Sequence, residues 1–325
     1  MGYSVEKKIA ERKGKIVKRI ALAILTLIIV ALCVFSAFVP PNTWKYYLER
    51  PKLGSRGATQ MRVHFVDVGQ GDAVIVELPD GKVLLIDGGS ERTSATTALM
   101  RYLNALKIDE IDMLVVTHTD ADHCGGLDTG VEMKNVKRAF LPVDDYTDNV
   151  EYAELYGALR QKGVALELSS RGLLVEDAPY TLACLYPYSY EADTTGGNDA
   201  SAVLWLDYEG TSFIFTGDAS MDIEEDLMRD DRLGSFEPLG VRLSETEILK
   251  VAHHGSNDST SDEWIAHLGV ETAIVSCGLG NAYNHPGAEL MERLKDASVY
   301  RTDQSGSIVV SVSKDGAYSL RTLGK

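Results

Sequence analysis

Cysteine is scarce in this chain of 325 residues. There are four, Cys33, Cys124, Cys184 and Cys277, with no C-x-x-C or zinc-ribbon spacing. Neither a disulfide framework nor a thiolate zinc site is therefore expected to organise the fold. Cys184 and Cys277 stand in apolar runs and read as small strand residues. Internal repetition is also missing, which excludes a solenoid or a propeller. Basic charge is confined to one end. Residues 1–19 carry seven Lys/Arg against Glu6 and Glu11, so the rest of a chain with a formal charge of −16 holds −21. Proteins that bind nucleic acid through its phosphates show a basic footprint. This chain lacks one overall, and Lys134, Lys137 and Arg138 are the candidates for a local patch.

The run "IALAILTLIIVALCVFSAFV", residues 20–39, has no charge over 20 positions, enough to span a bilayer. Pro40 and Pro41 end it, and Trp44, Tyr46 and Tyr47 follow as interfacial anchors. The basic flank predicts residues 1–19 as a cytoplasmic head, 20–39 as a single-pass anchor in a bacterial cell membrane, and everything beyond as extracytoplasmic. The alternative is a signal peptide whose cleavage releases a secreted protein. The apolar core is long for that role, and no clean A-x-A site follows. Residues 40–60 read as a linker.

From Met61 to the end the pattern is α/β. "MRVHFVDV", "DAVIVEL", "KVLLID" and "IDMLVV" read as strands, with a helix over "SATTALMRYLNAL". A helix over "EYAELYGALRQKG", stopped by Gly163, opens a second half. The strands "VALEL", "YTLACLYP", "SAVLWLDY" and "TSFIFTGD" follow, the last two joined by a hairpin turn at Tyr208–Thr211. Then come a helix near "MDIEEDLMR", the strand "TEILKVAHH", a helix over "STSDEWIAHL", the strand "TAIVSCG" and a helix over "HPGAELMERLKDA". "SIVVSVS" and "AYSLRTL" close the chain as a hairpin. This order predicts two packed β-sheets with helices outside, one domain over residues 61–325.

The informative feature is where the polar residues fall. His118, Asp120, Asp122 and His123 crowd the end of one strand. Asp218 ends another, His253 and His254 a third, and His285 follows a fourth. Five of the seven histidines lie in these clusters. Acids and imidazoles held this close are costly unless a cation satisfies them. In a turn leaving a strand, His118 and Asp120 can face one point while Asp122 and His123 face a second beside it. Asp218, with two carboxylate oxygens, is suited to bridge two ions, and the late histidines complete the shell of the second ion. His253 and His254 are adjacent and point opposite ways if the strand persists. One binds metal or donates a proton to a leaving group, with His254 favoured as the ligand.

"HTDADHCGG", "FTGDA", "KVAHHGS" and "NAYNHPG", with "FVDVGQGDA" and "RTDQSGSI", resemble the metallo-β-lactamase superfamily and, within it, the soluble domain of ComEC-like competence proteins. The resemblance runs from Met61 to Leu323. It implies an αββα sandwich with a two-metal hydrolase centre. Asp120 stands where the superfamily's usual H-x-H-x-D-H pattern has its second His, a departure the ComEC-like subgroup shares, and no His lies between His123 and His253. A carboxylate there makes the site harder and moves its preference from Zn²⁺ toward Mn²⁺. Two such ions, roughly 3.5–4 Å apart, activate water and clamp the attacking and leaving oxygens of a phosphoryl transfer.

The expected metal ligands are therefore His118, Asp120, Asp122, His123, Asp218, His254 and His285, with Asp122, His253 and His254 in catalytic roles. Asp87 either orients a ligand histidine or shapes a turn. Asp67, Gln70 and Asp72 border the site. Asn198, Ser201 and Ser256 contact substrate or form turns. Cys124 packs beneath the loop, His64 and His267 are structural, and the acidic loop at 144–149 is a solvated face. The expected function is a membrane-anchored phosphodiesterase or nuclease acting on a phosphodiester, with DNA one candidate. The alternatives are a β-lactam or lactone hydrolase and a metal-binding scaffold without turnover. ComEC couples this domain to a many-span channel. One span cannot form a pore, so the chain is expected to work either alone or beside a separate channel protein.

Overall fold

The computed structural model describes residues 2–38, 40–54, 61–144, 149–189 and 197–324. The acidic loop at 144–149 falls largely outside these. The chain divides into two units, Met1–Glu49 and Arg50–Lys325. In the first, α1 (Gly2–Phe38) is continuous. Among the described residues it is the one helix long and apolar enough to cross a membrane, over Glu11–Phe38. Its Ile, Leu and Val side chains from Ile16 to Val34 are exposed, and a helix apolar on every face needs an apolar surround. A 3₁₀ turn, Pro41–Tyr46, follows, and Trp44 lies 5.6 Å from the ring of Phe35.

The second unit is two mixed sheets. The strands are β1 (Met61–Phe65), β2 (Val74–Glu77), β3 (Val83–Ile86), β4 (Glu110–Val115), β5 (Asn135–Leu141), β6 (Ala165–Leu168), β7 (Gly172–Leu173), β8 (Thr181–Tyr186), β9 (Val203–Tyr208), β10 (Thr211–Phe215), β11 (Ile248–Lys250), β12 (Thr272–Val275), β13 (Ser298–Arg301), β14 (Ile308–Val312) and β15 (Tyr318–Thr322). The first sheet runs β15-β14-β1-β2-β3-β4-β5-β6 and the second β13-β12-β11-β10-β9-β8-β7. Each is antiparallel in one part and parallel in the other. The parallel runs are β3 to β6 and β10 to β13. The helices are α2 (Thr93–Leu106), α3 (Ala121–Cys124), α4 (Leu127–Met133), α5 (Val150–Lys162), α6 (Met221–Arg232), α7 (Asp262–Leu268), α8 (Ala288–Arg293) and α9 (Thr302–Ser305).

The inner faces of the two sheets share one core. Val63, Phe65, Val76, Leu84 and Val115 meet Leu204, Phe213, Phe215 and Ile274, with the Phe65 and Phe215 rings 6.2 Å apart. A second core lies on the far side of the second sheet. There Trp205, Ile214 and Leu249 pack with Ile223, Leu227, Trp264 and Leu290 from α6, α7 and α8. Parallel strands are buried on both faces, and this explains why β3 and β12 read as continuous apolar runs. The expected αββα architecture is present. The hairpin at Tyr208–Thr211 has Glu209 and Gly210 at positive φ, which gives the primed turn that suits right-twisted strands. Asn149 caps α5, and Gly163 ends it in the left-handed region.

Six elements were not legible: α3, α4, β5, β7, β13 and α9. β5 carries Lys137 and Arg138 in its first half, so it lacked an apolar run. The expected strand over "TEILKVAHH" stops at Lys250. His253 and His254 both have φ near +50°, so they do not point to opposite faces of a strand. This turn is left-handed, where non-glycine residues are strained.

Three turns interlock at one end of the first sheet. Asp72 N–H donates to the Asp122 carbonyl (3.1 Å), Gly89 N–H to that of Asp72 (2.7 Å) and Gly88 N–H to that of His123 (2.8 Å). Gly71, at φ 129°, sits so close that a Cβ would strike the Asp122 carbonyl oxygen. Gly71→Ala is expected to cost about 2 kcal/mol or more, read as a lower urea midpoint of the full chain. An unchanged midpoint would show that the turns are not packed this way.

Candidate metal centre

The polar clusters all sit at the carboxyl ends of parallel-paired strands. Asp87 follows β3 and His118–His123 follow β4. Asp218 follows β10, His253 and His254 follow β11, and the segment to His285 follows β12. The two sheets therefore present their loops to one crevice, the place where open α/β sheets build sites. Ala202 N–H donates to the Thr117 carbonyl across the two sheets, and His253 N–H donates to that of Gly217 within the second.

Two groups of donor atoms converge there. In the first, His118 Nε2 lies 3.8 Å from Asp120 Oδ2 and 3.9 Å from Asp218 Oδ2. In the second, His254 Nε2 lies 3.1 Å from Asp122 Oδ2, 3.6 Å from Asp218 Oδ2 and 3.2 Å from His123 Nε2, which is itself 3.1 Å from Asp218 Oδ1. Ligands at about 2.0–2.2 Å from one tetrahedral ion stand roughly 3.3–3.6 Å apart, so the second group is close to the spacing of an ion's shell and the first is slightly wider. Asp218 belongs to both. His118 Nε2 is buried with no hydrogen-bond partner, an orphan that a cation would satisfy. The residues fit a metal ion.

The imidazoles are held from behind. His123 Nδ1 is 2.8 Å from Asp87 Oδ2, which also accepts from the Thr117 hydroxyl. His254 Nδ1–H donates to the Ser276 carbonyl at 3.0 Å. Such partners fix the tautomer, leaving each Nε2 lone pair for a cation. Asp72 lies within 4.8 Å of ligand atoms of His123, Asp218 and His254, yet it faces the Nδ1 side of both rings, at 3.8 and 3.4 Å. It is a supporting carboxylate.

The electrostatics follow from this crowding. Burial would push His254 down, but Asp218 and Asp72 outweigh it and raise its pKa to about 10. Burial is likewise overcome at His123, which Asp218 and Asp87 hold well above the usual range. His118, buried beside the His123 charge, falls to about 3. Burial raises the carboxyl of Asp120, aided by the like charges of Asp122 and Asp218. Protons on His123 and His254 thus stand where cation charge is wanted, and metal binding displaces them.

The remaining candidates divide. Ser201 Oγ accepts from Asp218 N–H (3.1 Å) and lies 3.4 Å from His118 Nδ1, so it positions two cluster residues. Gln70 Oε1 accepts from Gly278 N–H, while its Nε2 and the Oδ1 of Asn198 are buried without partners. Asp67 and Ser256 serve turns, accepting from Gly69 N–H and Asp258 N–H. His253 is partly exposed, with Nε2 3.8 Å from Asp218 Oδ2. His285 stands beside it, ring centroids 5.6 Å apart. Cys124 is buried, its thiol donating to the Thr119 carbonyl. His64 bonds Tyr102 and Glu77, and His267 bonds Asp231. The three candidates for a local basic patch are each paired with acids. Lys134 pairs with Asp109, Lys137 with Glu110 and Asp112, and Arg138 with Glu167.

Sequence reasoning missed Lys250. Its side chain is buried, its ammonium contacts Asp72 Oδ2, and it donates to the Gly217 carbonyl at 3.2 Å. Burial would raise the Asp72 carboxyl, but Lys250 and then His254 hold it down to about 2. A Lys inside "EILKVA" carries no signal, because alternation alone places it on one face of a strand. Glu224 and Arg293 were missed as well. Glu224 accepts from Thr260 N–H, Ser261 N–H and the Ser261 hydroxyl, and Arg293 donates to the carbonyls of Asn257, Ser259 and Thr260. Together they clamp the loop that follows His254.

Residues 66–176 match the sequence model of the metallo-beta-lactamase superfamily, and the two sheets and the His/Asp cluster agree with it. The chain carries a metallo-β-lactamase domain, a metal-dependent hydrolase fold. Its curated relatives are competence-related. ComE operon protein 3 of Bacillus subtilis is 32% identical, over 79% of this chain and 33% of its own length. Recombination protein 2 of Haemophilus influenzae is 29% identical over 78% and 29%. Competence protein ComA of Neisseria gonorrhoeae is 28% identical over 78% and 33%. The chain spans about a third of the length of these relatives.

Lys250→Met leaves Asp72 buried without its cation and is expected to cost about 3–5 kcal/mol. The double variant Lys250→Met/Asp72→Leu removes both charges and should recover much of that loss. Equal melting temperatures for the single and double variants would contradict this account of the pair.

Proposed function

We propose that this chain is a membrane-anchored phosphodiesterase that uses two divalent cations, Mn²⁺ or Zn²⁺. The observation that carries this reading is Asp218, whose carboxylate is shared by two groups of donor atoms. His118, Asp120 and Asp218 would hold one ion. Asp122, His123, Asp218 and His254 would hold the other. When bound, such a pair activates water and stabilises charge on the phosphoryl oxygens. The chain's own residues do the rest. Asp87 and Ser276 keep His123 and His254 in one tautomer and orientation. His253, on the open side, is placed to pass a proton from Nε2 to the leaving oxygen. His285 has a buried Nδ1 without a partner, and burial lowers its pKa.

Competence-related relatives support a phosphodiester over an amide or lactone. The acidic charge and the pairing of Lys134, Lys137 and Arg138 with carboxylates favour a short or single-stranded substrate over a long duplex. Residues 20–39 would anchor the enzyme in a bacterial membrane with its centre outside, beside a separate channel protein. The test is hydrolysis of bis-(p-nitrophenyl) phosphate by the full chain in detergent with Mn²⁺. Asp218→Ala is expected to lower the rate by more than about 100-fold. Hydrolysis that survives this substitution, or turnover of a β-lactam in place of the diester, would overturn the reading.

A further inference from the structure

The loop from Gly278 to His285 leaves β12 and ends beside the metal centre. It carries two large apolar side chains in solvent, Leu279 at 75% exposure and Tyr283 at 66%. Among the described residues of the Arg50–Lys325 unit, the only others exposed to this degree are Val150 and Leu233. Single exposed apolar residues are ordinary. Two in one short loop at the edge of a reactive centre are a placement.

The loop is held rigid. Asn281 Oδ1 accepts from Tyr283 N–H and His285 N–H, and its Nδ2 donates to the carbonyls of Gly278 and His285. At its base, Gly278 is packed so tightly that a Cβ would stand 2.7 Å from Gln70 N. Tyr283 is therefore presented on a fixed backbone and has little freedom to lose when a ligand covers it. Its ring lies 5.6 Å from that of His285 with 28° between the planes. His285 in turn is 5.6 Å from His253 and 6.5 Å from His254. A row of rings leads from the centre to solvent and ends in an open aromatic face.

We infer that Tyr283 is a stacking platform for a nucleobase of the substrate next to the scissile phosphate. The inference rests on the phosphodiesterase reading and adds the residue that recognises the substrate beside the centre. The candidate basic residues Lys134, Lys137 and Arg138 are paired with acids, so recognition beyond the centre falls to a base face. Aromatic stacking supplies that without regard to sequence. The competing role for Tyr283 is to shield His285 from water, which would give no preference for bases.

The two roles separate in a binding experiment that needs no turnover. The full chain in detergent with Mn²⁺ is titrated by fluorescence anisotropy with two labelled eight-residue phosphorothioate strands, one of thymidines and one of abasic sites. The wild type is expected to bind the thymidine strand on the order of 10-fold more tightly. Tyr283→Phe should keep that preference, and Tyr283→Ala should reduce it to within about twofold at an unchanged melting temperature. Equal affinity for the two strands, no binding of either, or a preference that survives Tyr283→Ala would overturn the platform. Wild-type turnover of bis-(p-nitrophenyl) phosphate is read on the same preparation. Turnover without base preference would sink the platform alone, and base preference without turnover would sink the phosphodiesterase reading alone.

Discussion

Charge compensation in a dry crevice is the constraint on which the rest of the structure depends. Asp72, Asp87, Asp218, His118, His123 and His254 are all buried within a few ångströms of one another. Each buried charge costs several kcal/mol unless it is paired. Lys250 places its ammonium group beneath the cluster, in contact with Asp72. The carboxylates then force protons onto His123 and His254. His118, denied a proton, is left with an unmatched nitrogen. A divalent cation in each donor group would resolve these compromises at once.

The scaffold is arranged around that constraint. Parallel strands in both sheets deliver their carboxyl ends to one crevice, and the backbone bond from Ala202 to Thr117 ties the two sets of loops. Gly71 lets the turn that carries Asp72 lie against Asp122. The left-handed turn at His253 and His254 sends one imidazole into the cluster and leaves the other at its open side. Glu224 and Arg293 hold the loop beyond this strained turn in place. Strain of this kind persists only where the surroundings over-determine it.

Much of this was readable from residues. The two-sheet fold followed from apolar runs with turn residues between them, and the donor set from acids and histidines gathered at strand ends. What was hidden depended on tertiary placement. Lys250 looks like any alternating strand residue until the fold turns it toward Asp72. Lys137 and Arg138 looked like a cationic patch, because pairing with Glu110, Asp112 and Glu167 across neighbouring strands leaves no mark in the local sequence. They also broke the apolar pattern that would have revealed β5. The geometry of His253 and His254 was lost because a strand period was carried four residues too far. Backbone conformation in a turn is set there by packing, Gly255 and Pro286 included.

The account's central claim is that these acids and histidines are gathered to hold two cations. The direct test is to equilibrate the full chain with Mn²⁺, remove the free ion and count bound metal per chain by elemental mass spectrometry. About two equivalents are predicted, falling when Asp218 is replaced. A wild-type chain that retains no metal, or whose metal content is indifferent to Asp218, would contradict it.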